Sequence, residues 1–360
     1  MDKTASQAQM FANRLQKRFR HLKKWAQRTG VGAFRLYDRD IPEIPLVLDF
    51  YGDCGKPDDT ALCGALYKRP YEKDEVEEDK WLSAMRETAS AALGINLERV
   101  FLKQRQKQKG LSQYEKIGEK HFEKTVNEGG LSFKVNLSDY LDTGLFIDRR
   151  LLRKMVCEQS SGKKVLNLFS YTSSFSVYAA NGGALSTDSV DLSNTYLNWA
   201  KENFSLNNFS ADILQIWDFF KGEGRGESDL HCTHKLIRAD VLEFLEKAKA
   251  AKKQWDIIVL DPPGFSNSKK MIDDFDLQRD LTELLGKCLK LLAPAGKLFL
   301  SVNIKRSAPT VTELKESLSQ YVSNLRITDL GEKLIDEDFK GRKTPKAFLL
   351  DKLDKYDIIK

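Results

Sequence analysis

KVLNLFSYTSSFSVYAANGGALSTDSVDLS, residues 164–193, holds the pattern that decides the fold. A short apolar run (164–168) leads through the hydroxylated turn Ser170, Tyr171, Thr172, Ser173 and Ser174 into a helix, and a second run (184–190) ends at Asp191. Strand, turn, helix and strand in that order form the unit of a parallel sheet with helices on its faces. Small side chains in such a turn let backbone N–H groups and hydroxyls approach a ligand closely. A carboxylate about twenty residues beyond the turn, here Asp191 with Leu192 beside it, is placed to accept both hydroxyls of a ribose. Capping the next helix is the other role open to an Asp at that position.

The same alternation continues downstream. Strands are predicted at 235–238, 256–260 and 296–302, with helices at 194–206, 241–250 and 275–292; two further strands, 326–330 and 347–350, finish the sheet. The expected class is therefore α/β, a Rossmann-like doubly wound sheet, and ligands in such sheets bind beyond the carboxyl ends of the strands. The third strand ends in Arg238-Ala239-Asp240-Val241, whose Asp240 either accepts from an adenine amino group or caps the helix that Val241 begins. The fourth ends in Asp261-Pro262-Pro263-Gly264-Phe265. Two prolines stop the strand abruptly and leave Asp261 and Phe265 over the ligand site. The first turn is not GxGxxG and no phosphate-loop lysine is present, which disfavours a dinucleotide oxidoreductase and a P-loop ATPase.

Upstream, Phe11, Leu15, Phe19, Leu22 and Trp25 recur at helical spacing with Lys and Arg on the opposite face. Short β-rich runs at 34–37, 45–51, 62–68 and 100–103 and a charged helix at 78–93 complete a small α+β domain. The polar stretch 105–119 (RQKQKGLSQYEKIGE) reads as a linker or exposed loop, with Tyr114 and its basic neighbours suited to RNA contact. The division expected is 1–120 for the small domain and 121–360 for the large one. Residues 221–229 (KGEGRGESD) read as a polar loop, and there is no internal repeat.

A chain of 360 residues fits two domains, and 41% apolar residues suffice for two cores. A net charge of +6 leans toward a polyanionic partner. No apolar run reaches the roughly 18–20 residues that span a bilayer, and residues 1–20 lack a secretory apolar run, so a cytoplasmic protein without membrane contact is expected. Five cysteines, Cys54, Cys63, Cys157, Cys232 and Cys288, are scattered without metal-ligand spacing, so neither structural metal nor disulfides are expected. Oligomeric state is not encoded.

Three longer stretches carry a family resemblance: MFANRLQKRFRHLKKWA with Arg35-Leu36-Tyr37-Asp38, KGLSQYEKIGEK, and FSNSKKMIDDFDLQRD after the Asp-Pro-Pro turn. With Asp142-Thr143-Gly144-Leu145-Phe146-Ile147-Asp148-Arg149-Arg150 and NLFSYTSS, the chain resembles bacterial large-subunit ribosomal RNA methyltransferases, most closely their guanine-N7 K module. The resemblance covers nearly the whole chain. It implies a class I methyltransferase domain using S-adenosyl-L-methionine, a small N-terminal domain that helps bind RNA, and large-subunit ribosomal RNA as partner. It also implies that Phe146, Asp148 and Arg150 line the cofactor pocket together with Ser170, Tyr171, Thr172, Asp191, Leu192, Asp240, Val241 and Asp261. Two departures stand out. The family often has Gly where Ser173 stands, which costs on the order of 1 kcal/mol if that position needs positive φ; Arg149 occupies a position where histidine is common.

The in-plane lone pair of guanine N7 is already nucleophilic, so the protein needs to align it rather than activate it. Asp261 and Phe265 are the residues expected to orient the base, with Asn303, Lys305 and Arg306 after the last parallel strand expected to hold RNA. Cytosine-C5 methylation needs a cysteine thiolate, and none stands after 302 or beside Asp261. Exocyclic-amine methylation is disfavoured by Gly264, which separates the prolines from Phe265. An RNA-binding ribosome assembly factor without catalysis stays open as the non-enzymatic alternative.

Overall fold

The computed structural model describes residues 3–67, 74–104, 121–221, 233–266, 275–303, 308–342 and 344–353. Stretch 105–119 with Tyr114, most of loop 221–229, Cys232, Lys68, Lys305, Arg306 and most of the FSNSKK run lie outside them. The chain divides into two compact units, Met1–Ile147 with Asp336–Arg342, and Asp148–Ile335 with Lys343–Lys360.

In the first unit, α1 (Lys3–Thr29) buries Phe11, Leu15 and Leu22 completely and Trp25 nearly so, the apolar stripe that the sequence spacing predicts. It packs on a sheet of β1 (Ala33–Asp38), β2 (Leu46–Tyr51), β3 (Ala61–Leu66) and β4 (Val100–Gln104) in that order, with only the β3/β4 pair parallel. Helix α2 (Glu75–Leu93) starts where Asp74 accepts from the N–H groups of Val76 and Glu77 and stops at Gly94, whose φ of +68° suits glycine. Trp81 donates its indole N–H to the buried Gln7 at 2.7 Å and ties α2 to α1.

The hairpin of β5 (Glu123–Glu128) and β6 (Leu131–Asn136) belongs to this unit because Gly32 N–H donates to Asn127 O at 2.7 Å and Val31 bridges Glu128. The compact division therefore falls at Ile147, beyond the residue 120 read from the loop composition. Segment Asp336–Arg342 joins the unit through charge. Buried Asp338 accepts from Arg35 N–H at 2.9 Å, Arg342 pairs with Asp40 at 3.3 Å, and Arg14 meets the same carboxyl at 2.6 Å.

The second unit contains α3 (Arg150–Gln159), β7 (Lys164–Leu168), α4 (Ser174–Asn181), β8 (Ser186–Asp191), α5 (Asn194–Leu206), β9 (Ala211–Gln215), α6 (Ile216–Lys221), β10 (His234–Arg238), α7 (Val241–Ala250) and β11 (Trp255–Leu260). It continues with the short pair β12 (Phe265–Ser266) and β13 (Phe275–Asp276), then α8 (Leu277–Leu291), β14 (Leu292–Val302), α9 (Val311–Leu318), β15 (Leu325–Asp329) and β16 (Lys346–Lys352). The main sheet has the order β15-β16-β14-β11-β7-β8-β10-β9, parallel from β14 to β9 and antiparallel at β16 and β15. This is the doubly wound α/β sheet expected from the sequence.

The chain moves outward from β7 through β8 to the edge strand β9, returns to β10 between them and then crosses to β11 on the other side of β7, so strand order reverses there. Register makes this reversal a site: Leu168 lies level with both Val190 and Leu260, Arg238 with Asp191, and Leu260 with Leu300. Four parallel strands thus end at one height. The apolar faces are covered by Phe244, Leu245 and Leu284 to Leu289 on one cluster and by Leu152, Val156 and Phe175 on another. Edge strand β9 and helix α9, with its Thr310/Glu313 capping box, are additions to the elements read from sequence.

Helix α3 packs closely on the end of α4 because α4 ends in glycine. A Cβ at Gly182 would collide with the backbone carbonyl of Cys157. Gly182→Ala is expected to destabilise the protein by about 1–3 kcal/mol through overpacking, read from urea unfolding; a loss under about 0.5 kcal/mol, the scale of an ordinary surface change, would show that α3 is free to shift.

Candidate active site

The turn leaving β7 is built under backbone constraint. Phe169, Tyr171 and Ser173 all have positive φ, at 54°, 52° and 56°. Ser173 is fully buried and its hydroxyl has no hydrogen-bond partner, as is true of the Ser170 hydroxyl. The left-handed conformation and the position of Ser173 are what the family's glycine would suit.

Several interactions hold this turn in place. Tyr171 N–H donates to Asp191 Oδ2 at 2.9 Å, Ser170 N–H to Val190 O at 3.0 Å, and Ser173 N–H to Ser170 O at 2.7 Å. The Thr172 carbonyl accepts from Asn203 Nδ2 at 3.0 Å, and Asn203 is fully buried on α5. The Tyr171 ring packs edge-on against Tyr196, with ring centres 4.5 Å apart. Below the turn, Asn167 Nδ2 donates to Ser176 Oγ at 3.0 Å, and Ser176 and Ser189 share a hydroxyl contact of 2.7 Å. The sequence reading did not single out Asn203 or this network. Asn203 was nevertheless visible as a polar residue on the α5 stripe of Tyr196, Trp199 and Ala200.

Asp191 does not cap α5. Ser193 does, accepting from Tyr196 N–H, while Asp191 Oδ1 accepts from Ser193 N–H at 2.9 Å. Oδ2 thus holds Tyr171 N–H and Oδ1 holds Ser193 N–H, and the carboxylate keeps lone-pair capacity for a ligand hydroxyl. Burial pushes the Asp191 pKa up to about 6, against the lowering effect of N–H groups from Ser193, Tyr171 and Leu192. Leu192 is part-exposed beside it.

Asp240 does cap α7: its Oδ1 accepts from Leu242 N–H at 2.9 Å and Glu243 N–H at 3.1 Å, which leaves Oδ2 for another donor. The side chain of Val241 is 4% exposed and belongs to the core.

Asp261, at the end of β11, is gripped by Arg149. Arg149 Nε donates to Asp261 Oδ2 and Nη2 to Oδ1, both at 3.1 Å, and Nη1 donates to Asp148 Oδ2 at 2.7 Å. Burial alone would lower the arginine's pKa; Asp148 and Asp261 more than offset this and raise it. Arg150 is buried at the start of α3, and Arg153 one turn on is fully buried against Phe175 and Tyr178. Phe146 falls in the first unit and is 39% exposed.

After Asp261 the backbone turns at Pro262 and Pro263, and Gly264 O accepts from Leu277 N–H at 3.3 Å. Phe265 pairs through its backbone with Asp276, the cap of α8. Exposed Asn303 follows β14, with its carbonyl beside Gly264.

The two described cysteines of the second unit, Cys157 and Cys288, lie within helices and not at these strand ends. Cys288 is fully buried in α8, and burial pushes its thiol up to about 12; Cys54 is pushed up to about 11 in the first unit, where Cys63 is raised as well. Cys157 lies in α3. Among the described residues, no group of three or more His, Cys, Asp or Glu side chains is arranged to hold a metal ion, and no helix is long and apolar enough to cross a membrane.

What this crevice offers is a backbone turn with closely approachable N–H groups, a carboxylate with lone-pair capacity to spare on the neighbouring strand, and a further carboxylate oxygen on the next. That donor and acceptor set fits an adenosine: hydroxyls to Asp191 and an amino group to Asp240 Oδ2.

Comparison with known proteins agrees in kind. The sequence profile described as S-adenosylmethionine-dependent methyltransferase matches residues 59–328. "Ribosomal RNA large subunit methyltransferase K" of Neisseria meningitidis serogroup B is 42% identical over 337 residues, covering 92% of this chain and 84% of the relative. "Ribosomal RNA large subunit methyltransferase K/L" of Hahella chejuensis is 44% identical over 302 residues, 84% of this chain but 38% of the relative, so the chain spans about two fifths of that longer protein. In fold, a solved methyltransferase complexed with SAH superposes with a TM-score of 0.69 at 23% identity over 96% of this chain and 81% of that one. A SAM-dependent methyltransferase from Agrobacterium tumefaciens gives 0.54 at 20% identity over 86% and 88%.

Two outcomes follow from the turn and its carboxylate. Ser173→Gly is expected to stabilise the protein by about 1–2 kcal/mol, since it relieves a left-handed Cβ and removes a buried unpaired hydroxyl; calorimetric melting checks this, and a lower melting temperature would contradict it. A ribose diol is held better by ionised Asp191 than by its protonated form, so affinity for S-adenosylmethionine should fall as pH drops through 6. Between pH 7 and pH 5 the ionised fraction, and with it the affinity, falls about tenfold; isothermal titration in wild type shows the slope, and Asp191→Ala should flatten it.

Proposed function

The chain belongs to the S-adenosylmethionine-dependent methyltransferase family, and on that premise we propose that it methylates guanine N7 in large-subunit ribosomal RNA. The observation that carries this reading is the level ending of β7, β8, β10 and β11, which collects the Tyr171 turn, Asp191, Asp240 and Asp261 in one crevice. The similarity to the Neisseria relative across 92% of the chain supports ribosomal RNA as substrate, and a cytoplasmic site of action goes with that substrate.

S-adenosylmethionine supplies an electrophilic methyl group on a sulfonium. The chain's own residues then have two tasks. Asp191 and Asp240, with the turn at Ser170, Tyr171 and Thr172, hold the nucleoside part, while Asp148 and Arg150 are assigned to the pocket by their place before β7. Asp261 orients the base, its unshared lone pairs accepting N–H groups on the guanine edge remote from N7, and Phe265 is assigned the stacking role by its place after the turn. No proton need leave N7, so no base is required and positioning is the catalytic device.

A cysteine route to cytosine C5 lacks support, because the described thiols of the second unit, Cys157 and Cys288, lie within helices and not at the strand ends, and burial pushes that of Cys288 upward. The RNA is held by Asn303, with Lys305 and Arg306 next in sequence. In the first unit, the exposed Lys17, Arg20, Lys24 and Arg28 recur on one face of α1, a stripe suited to phosphate.

Large-subunit RNA lacking its native methyl groups, incubated with the protein and labelled S-adenosylmethionine, is expected to yield 7-methylguanosine by nucleoside mass spectrometry. Asp261→Ala should lose at least about 100-fold in transfer, the scale of one removed electrostatic contact, with RNA affinity changed only a few-fold. A 5-methylcytidine product would contradict the assignment, and no product on naked RNA or subunit particles would favour the assembly-factor reading.

A further inference from the structure

The sequence marks Arg149 only as a departure from histidine, and the structure gives it a connecting role. Its guanidinium is a rigid planar fork that meets both oxygens of Asp261 at 3.1 Å and one oxygen of Asp148 at 2.7 Å. The arginine side chain is 9% exposed, with Asp261 at 15% and Asp148 at 25%, so solvent does little to weaken or replace these contacts. A bidentate contact fixes the plane of a carboxylate as well as its distance, which a single-point cation does not. Without Arg149, Asp148 and Asp261 would face the same space as two like charges with no cation between them.

We infer that Arg149 is a positioning residue for methyl transfer: it locks the Asp261 carboxylate in the one orientation from which its unshared lone pairs meet the target base. This rests on the reading of Asp261 as the residue that orients the base. Asp148 is then the anchor that fixes the other side of the fork. Arg149 acts through Asp261 and touches neither reacting atom, so its loss should fall far more heavily on turnover than on cofactor affinity, which it reaches only through Asp148. The arginine also makes the lock insensitive to pH across the neutral range, where a histidine would hold Asp148 and Asp261 only while protonated.

Three variants separate orientation from charge and from folding. Arg149→Lys keeps a cation without the fork. It should melt near the wild-type temperature and bind S-adenosylhomocysteine within about threefold by calorimetry, a difference well under the tenfold that 1.4 kcal/mol makes. Its kcat should fall at least about tenfold, the scale on which small misplacements act. Arg149→Met should lose more. Arg149→His should regain turnover, relative to wild type at each pH and with saturating S-adenosylmethionine, as pH falls from 8 to 6 and the imidazole gains its proton between Asp148 and Asp261. The saturating condition removes the separate effect of Asp191.

A crystal structure of Arg149→Lys should show Asp261 turned from its wild-type rotamer, a readout independent of the reaction. Wild-type turnover in Arg149→Lys, a histidine variant whose pH profile parallels wild type, or joint loss of melting temperature and S-adenosylhomocysteine binding would each overturn the inference. A wild type that transfers methyl to no RNA would instead remove the functional reading and the positioning role with it.

Discussion

The hydrogen bond from Tyr171 N–H to the carboxylate of Asp191, 2.9 Å across the ends of two neighbouring strands, is the constraint on which the crevice depends. It draws the turn after β7 over the end of β8, and the turn follows only by placing Phe169, Tyr171 and Ser173 in left-handed backbone. Each such residue costs about 1–2 kcal/mol when it carries a Cβ. The cost is tolerated because Asn203, the Ser173–Ser170 contact and the Tyr171–Tyr196 packing determine the turn several times over. The Asp191 that imposes the turn also has the lone pairs left for a ribose. On the proposed reading, scaffold and recognition share one side chain.

The same economy holds on the other side of β7. Asp261 ends its strand where two prolines forbid further pairing, and Arg149 reaches it from the start of α3. One half of the crevice is thus fixed by backbone donors and the other by a side-chain ion pair. This division matches the proposed tasks: a cofactor that binds the same way every time, and a base that must be held in one plane for a lone pair to face the methyl group.

Strand 164–168 and helices 194–206 and 241–250 were legible to the residue, because each is bounded by its own punctuation: Gly162 before the strand, Ser193 and Asp240 as helix caps. Strand ends were legible for the same local reason, and so Asp191, Asp240 and Asp261 could be placed at them from the sequence. What local pattern does not carry is register. Arg149 and Asp261 are 112 residues apart, and no periodicity in either segment pairs them. Segment 336–342 likewise joins the first unit through Asp338 and Arg342, whose partners Arg35 and Asp40 lie about three hundred residues earlier in a chain whose contacts are set by tertiary charge pairing. The role of Asp191 was open between cap and ligand residue, and the structure gives the cap to Ser193.

The proposed hold of Asp191 on the ribose of the cofactor is tested most directly by a calorimetric titration with S-adenosylhomocysteine and its 2′-deoxy analogue, on wild type and on Asp191→Ala. Wild type is expected to bind the analogue about tenfold more weakly or worse, a difference of about 1.4 kcal/mol, and Asp191→Ala to bind the two nearly alike. Equal affinities in the wild type, or an undiminished preference in Asp191→Ala, would contradict it.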